Sequence, residues 1–394
     1  MNKYVEYLWN LAIYHRERPQ QGEGRPAVLL ICRQPLGDTV LASPLIRGMR
    51  RLYPRHQLIL IASESNYGLL KHCPYADEVL VYEAQVQGSY LRSHLKKARA
   101  FAEAHFQGRA FEAAVIPSTG MPSLPEAWLA YFSGAKRRVS FSEKFNPAMH
   151  EEFMGGYDRY FTHAPYGEEI RHEVESNISL LNLLQPGEYD SSLELWPGEA
   201  DRQEARFLLQ EAGVRSQGLK AAVCLATSEP ARDWPAERYG EVCSFLQEKW
   251  PEISFVLVGA GERARAYGDI FLKKVPSAHD FIGRTSLGQL MALLQMMDLY
   301  LGGDTGTLHM ASACHLRGAA VYRSADDLQS RLSLDAKLRY PWQCGIAALK
   351  PEKALPGCEW GCSLGKPHCI LQVEEAQVLQ AMEKAVTVSG MNIV

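Results

Sequence analysis

Residues 302–313, "GGDTGTLHMASA", follow the apolar run "LYL" and lead straight into "CHLRGAAVYR". An apolar run that stops at two glycines has the form of a buried strand coming to its end. Asp304 is a good N-cap for a helix carrying Leu308, Met310, Ala311 and Ala313. Such a turn presents free backbone N–H groups at the positive end of a helix macrodipole, a natural site for a phosphate. The same stretch taken alone also reads as no more than a well-capped turn. The rest of the chain has to decide.

Working outward, short β-rich runs alternate with helical stretches. The runs are "AVLLICR" (27–33), "QLILIAS" (57–63), "EVLVYE" (78–83), "EAAVIP" (112–117) and "RRVSFS" (137–142). The alternation breaks at a Pro-, Gly- and acid-rich segment, then resumes with "AAVCLAT" (221–227), "SFVLVGA" (254–260), "HDFIG" (279–283), "LYLGG" (299–303) and "GAAVYR" (318–323). This pattern predicts an α/β protein with two parallel sheets, each covered by helices on both faces. The expected division is an accessory helix over 1–26, a first Rossmann-like domain over 27–185, a linker over 186–198, a second such domain over 199–372 and a final helix over 373–394. Two doubly wound domains would bind ligands at the carboxyl ends of their strands, facing a central cleft, with the linker as a hinge.

The composition agrees with that architecture. A chain of 394 residues is too long for one ordinary core. Apolar residues make up 46% and charged residues 22%, and the formal net charge of −3 gives no general basic field to attract nucleic acid. No run approaches the roughly 20 apolar residues that span a bilayer. The N-terminal segment carries Glu6 in its apolar stretch and lacks a small-residue cleavage site, so it reads as an amphipathic helix with Tyr4, Leu8, Leu11 and Ala12 on one face. That face would dock on the protein or touch the inner face of the cytoplasmic membrane. Nine cysteines without an export signal point to a reducing, cytoplasmic location.

Unusual chemistry collects at four strand ends. After the first strand, "RQPLGDTVLASP" places Asp38 where a carboxylate would act as a general base, or would merely cap a helix. In "LATSEPARDWP", Thr227, Ser228 and Arg232 supply hydroxyls and a guanidinium for a diphosphate. "VLVGAGERARA" matches G-x-G-x-x-A, with Asp280 about 20 residues on, as in a dinucleotide fingerprint. That supports a rival reading as a nicotinamide-dependent oxidoreductase. However, Asp280 is expected at the beginning of its strand, whereas ribose recognition needs the acid at the carboxyl end. Glu262 is the better candidate for gripping nucleotide hydroxyls. The fourth strand end is the opening stretch itself.

Together "LGDTVLASPLIRGMRRLYP", "TSEPARDWP", "GAGER", "TSLGQLMALL" and "DTGTLHMASA" resemble, in this order, the motifs of the bacterial ADP-heptose:lipopolysaccharide heptosyltransferases, glycosyltransferase family 9. The resemblance covers roughly residues 27–325. It implies the GT-B fold, with the acceptor on the N-terminal domain and the nucleotide sugar on the C-terminal one. It implies an inverting glycosyltransferase that needs no divalent ion or other catalytic cofactor. Asp38 would be the catalytic base. Thr227, Ser228 and Arg232 would hold the diphosphate, Glu262 would contact the ribose, and Asp304, Thr305, Gly306 and His309 would form the phosphate-facing helix start. The donor would be ADP-heptose or a similar nucleotide sugar, and the acceptor a glycan, a glycolipid or a protein. A noncatalytic nucleotide-sugar-binding relative is the alternative that fold resemblance alone leaves open.

One motif falls outside this scheme. In "CGIAALKPEKALPGCEWGCSLGKPHC", Cys344, Cys358, Cys362 and Cys369 crowd a loop-like region over 344–369. A C-x3-C-x6-C spacing with a fourth cysteine upstream would close a structural thiolate site for zinc or iron, with His368 as a competing ligand.

Overall fold

The structure is a computed structural model, and it describes residues 22–83, 90–117, 123–145, 156–166, 171–325, 335–358 and 364–390. The accessory helix expected over 1–26 falls almost wholly outside the described residues, and the first strand already starts at Arg25. The chain divides into two units, Met1–Ser191 and Ser192–Val394.

In the first unit, β1 (Arg25–Ile31), β2 (Gln57–Ala62), β3 (Glu78–Val81), β4 (Arg109–Val115) and β5 (Arg137–Val139) form one sheet in the order β3-β2-β1-β4-β5. Every pairing is parallel, with Leu30 beside both Leu60 of β2 and Val115 of β4. Ala27 to Ile31 are fully buried, as expected of a central strand covered on both faces. One of those faces packs on Trp128, Leu129 and Phe106, in a core that also takes in Tyr157 and Tyr160.

The second unit repeats the plan with one more strand. It holds β6 (Lys220–Cys224), β7 (Ser254–Val258), β8 (His279–Asp280), β9 (Leu299–Gly303), β10 (Arg317–Val321) and β11 (Gly345–Leu349) in the order β11-β10-β9-β6-β7-β8. Read from β6, this is the dinucleotide-fold order 3-2-1-4-5-6, in which the strand order reverses between β6 and β9 while all strands stay parallel. The expected α/β class and the pair of Rossmann-like sheets are therefore both observed.

Two local expectations change. β11 lies inside the region read as loop. Its "GIAAL" is a short run of mostly small residues on a sheet edge, and only its pairing with β10 (Ala347 beside Ala319) identifies it as a strand. β8 ends at Asp280 rather than continuing to Gly283, so Asp280 stands at the carboxyl end of its strand and not at its beginning. Asp280 thus has the position of a ribose-binding acid, but its carboxylate accepts from Ile282 N at 2.9 Å and pairs with the Arg265 guanidinium, which occupies it within the fold.

The final helix, Glu375–Gly390, buries Val378, Met382 and Val386 in the second core. Trp234 ties the preceding segment to the loop after β6: its indole Nε1 donates to Val373 O at 3.0 Å, and its ring meets Tyr239 edge-on at 4.7 Å. Among the described residues, no helix is long and apolar enough to cross a membrane.

Candidate functional site

Strands β10, β9, β6 and β7 are neighbours and parallel, so their carboxyl ends open on one edge of the second sheet. The residues singled out in that unit come from three of these ends. Thr227, Ser228 and Arg232 follow β6, Glu262 follows β7, and Asp304 to His309 follow β9. The β6/β9 gap is the switch point at which open α/β sheets bind their ligands.

The two glycines of the opening stretch are explained by close approach. A Cβ on Gly302 would lie 2.8 Å from Cys224 O, and one on Gly303 would lie 2.8 Å from the Thr227 methyl. Only residues without side chains let the β6 loop settle against the end of β9. The helix that follows is Gly306–Ala313, and its N-cap is Thr305 rather than Asp304: Thr305 Oγ1 accepts from Leu308 N at 3.3 Å. With the cap supplied by Thr305, the Asp304 carboxylate is available for another task. Its Oδ2 lies 3.3 Å from Arg232 Nη1, and its Oδ1 lies 3.9 Å from His309 Nε2. Asp304 and His309 are both buried, while Arg232 is partly open to solvent. An acid two residues ahead of a helix start thus holds a guanidinium from the loop after β6.

Thr227 is fixed by partners that sequence reading missed. Its N–H donates to Asp233 Oδ1 at 2.7 Å, and its carbonyl accepts from the Arg263 guanidinium. Asp233 is buried and pairs through Oδ2 with Arg263 Nε at 2.8 Å. Glu262, the neighbour of Arg263, is the exposed first residue of the helix Glu262–Lys274, entered through Gly261 at φ +91°. The Asp233–Arg263 pair therefore joins the loop of Thr227 to the helix of Glu262. Ser228 is exposed on the same loop. In the sequence, the only signal for this pair is a charge beside each singled-out residue.

In the first unit, Asp38 is the half-buried third residue of the helix Leu36–Leu41, just past the carboxyl end of β1. It therefore lies inside the helix's first turn rather than capping it. Asn66, fully buried, holds the approach: its Nδ2 donates to Cys32 O at 2.8 Å, Gln34 O at 3.0 Å and Thr39 Oγ1 at 2.9 Å. Arg33 is turned inward. Its Nη1 meets Glu126 Oε1 at 2.9 Å, and its Nε donates to Tyr82 O at 2.8 Å. Burial pushes the Glu126 carboxyl up to about 7, against the opposing pull of Arg33.

The cysteine cluster is only partly assembled as expected. Cys358, His368 and Cys369 bring their ligand atoms within 4.8 Å of one another, with His368 Nδ1 at 3.4 Å from Cys358 Sγ and 3.8 Å from Cys369 Sγ. Cys362 lies outside the described residues. Cys344 does not join this group. It immediately precedes β11, where the strand pairing pins it, burial raises its thiol pKa, and its hydrogen-bonding neighbours are Ser312 and Ile346. His368 takes the place expected for Cys344. Two thiols and an imidazole suit zinc or another borderline-soft cation.

Residues 113–344 match the family model described as glycosyltransferase family 9 (heptosyltransferase). Among solved structures, the chain is similar to the glycosyltransferase family 9 protein of Veillonella parvula DSM 2008, at 16% identity and a TM-score of 0.73, covering 94% of this chain and 99% of that one. It is also similar to ADP-heptose LPS heptosyltransferase II of E. coli, at 17% identity and a TM-score of 0.66, covering 92% and 99%. A third is E. coli heptosyltransferase WaaC with ADP, at 14% identity and a TM-score of 0.64, covering 91% and 99%. No curated protein matches the chain in sequence.

Proposed function

The chain belongs to glycosyltransferase family 9, and on that premise we propose that it moves a heptose-type sugar from ADP-heptose or a similar nucleotide-diphosphate donor to a hydroxyl of a bacterial cell-surface glycan, a glycolipid or a protein. The donor class follows the similar E. coli heptosyltransferases, one of them seen with ADP. The observation that carries the reading is the joint position of Arg232, Asp304 and the Gly306–Ala313 helix start at the β6/β9 switch point.

Transfer proceeds by single displacement with inversion. The acceptor oxygen forms a bond to the anomeric carbon as the bond to the diphosphate oxygen breaks, and the hydroxyl proton passes to Asp38. The leaving diphosphate gains charge as it departs. Arg232 and the backbone N–H groups at 305–307 stabilise it, so no divalent ion is required. Asp304 is itself an anion, and its work here is to aim Arg232 rather than to touch phosphate. Glu262 accepts from ribose hydroxyls and Ser228 donates to phosphate oxygens, while Thr227, whose hydroxyl proton goes to Glu229 O, shapes the loop that presents them.

The Cys358, His368 and Cys369 group suits a structural metal, with zinc or iron as the candidates and Cys362 as a fourth ligand. Such an ion would clamp the segment before the final helix and supply no step of transfer.

Calorimetry with ADP and with adenosine tests the donor site. ADP should bind at least about tenfold more tightly, because a charge-assisted hydrogen bond contributes roughly 1.5 to 3 kcal/mol. Equal affinities would overturn the assignment. Release of ADP from ADP-heptose in the presence of an acceptor tests turnover and separates an enzyme from a noncatalytic relative.

A further inference from the structure

The loop after β6 and the end of β10 meet through charges that the family motifs do not include. Arg323 lies two residues past β10, and its Nη1 is 2.8 Å from Glu229 Oε2. The same carboxylate oxygen is 3.8 Å from Arg232 Nε. Glu229 is thus an anion bridging two guanidiniums, one of them already placed in the donor site. Arg323 is mostly covered, with a side chain 18% exposed, whereas that of Glu229 is 51% exposed. The conformation of the loop does not depend on this carboxylate. Thr227 Oγ1 donates to Glu229 O at 2.8 Å and accepts from Glu229 N at 3.2 Å, and Asp233 holds Thr227 N from below.

From this geometry the structure assigns Arg323 as a second guanidinium of the donor-phosphate site, with the Glu229 carboxylate as an internal anion that a nucleoside diphosphate displaces. The assignment rests on the donor-site reading given above. Among the described residues Arg323 has one ion pair, with a solvent-exposed partner, and a guanidinium carries five N–H donors in a planar fork suited to phosphate. Strands β6, β9 and β10 are adjacent and parallel, so Arg232, the helix start after Asp304 and Arg323 approach one edge from three consecutive strands. A diphosphate has oxygens enough for both arginines and the helix amides. A carboxylate left bridging the arginines beside it would repel it, so binding requires Glu229 to swing away. A half-exposed glutamate can do this at little cost, because its carboxylate exchanges the pair for water.

The sign of one substitution separates this role from a purely structural bridge. Calorimetry with ADP, inorganic pyrophosphate and adenosine is carried out on the full-length chain and on Glu229→Gln and Arg323→Ala. Glu229→Gln should tighten ADP and pyrophosphate roughly two- to fivefold, the scale of an exposed pair. Arg323→Ala should weaken both by roughly ten- to a hundredfold, and adenosine should bind all three proteins alike. If Glu229→Gln weakens ADP binding, the carboxylate supports the site instead of competing in it, and the proposal falls. If Arg323→Ala leaves ADP unchanged while wild type binds it, this proposal falls and the donor-site reading stands. If wild type binds neither ADP nor pyrophosphate, the donor-site reading fails and takes this inference with it.

Discussion

At the carboxyl end of β1, Arg33 meets Glu126 at 2.9 Å, and both side chains are about nine-tenths covered. At the carboxyl ends of β6 and β10, Arg232 and Arg323 also meet carboxylates, but the bridging Glu229 is half exposed. The two sheets share one winding order, so the difference is not one of fold. A covered pair is committed, because removing either partner strands a buried charge at a cost of roughly 3 to 5 kcal/mol. An open pair can exchange its carboxylate for a ligand's phosphate. The first unit thus commits this arginine to its own core, and under the proposed function Asp38 is the reactive group at that edge while the arginines of the second unit serve an anion.

The largest expected effect tests the first unit's share of the work. Asp38→Ala should lower the transfer rate by about 100-fold or more, the scale of a lost general base, with ADP affinity unchanged. Steady-state rates and calorimetry on the same preparation check both halves. A loss of ADP affinity would place Asp38 with the donor and break the comparison.

Next in size is Arg232→Ala, expected to weaken ADP by roughly ten- to a hundredfold while adenosine binding stays within about twofold. Equal weakening of both ligands would show that the arginine supports the loop and not the phosphates.

The committed pair in the first unit has a pH signature. Burial raises the Glu126 carboxyl from 4.5 to about 7 in the folded chain, so the folded state holds that proton more tightly than the unfolded one. The resulting contribution to stability is fully present in acid, below about 4.5, and is lost as pH rises through about 7. Urea unfolding at about pH 5 and about pH 8 should show this decline in the wild type and a flatter dependence in Glu126→Gln. An unchanged slope in the variant would assign the titration to another group.

The smallest effect on transfer is expected at the cysteine group. Cys369→Ser should remove most of the bound metal, about one ion per chain by elemental analysis of protein purified without chelator, and lower the melting temperature. ADP affinity should hold. Its loss would make the cluster part of the donor site and sharpen the account of the second unit in an unexpected direction.

Much of this molecule was legible in order along the chain. Apolar runs such as "AVLLICR" and "SFVLVGA", set between helical stretches, determined two parallel sheets because strand and helix periodicities are local properties. The Gly-Gly-Asp-Thr-Gly stretch determined a strand-to-helix turn for the same reason. Tertiary structure decided the partners. Thr305 took the cap that Asp304 also suited, because Asp304 is drawn to an arginine 72 residues away. "GIAAL" became a strand only when β10 offered it an edge, and that pairing held Cys344 away from Cys358 and Cys369. Arg33 was turned inward by Glu126, 93 residues away, and Arg323 was brought to Glu229 across 94 residues. A hydrogen-bond or charge preference in the sequence states what a side chain can bind. Which partner it binds is set by parallel strands of distant origin ending side by side, and no local pattern carries that information.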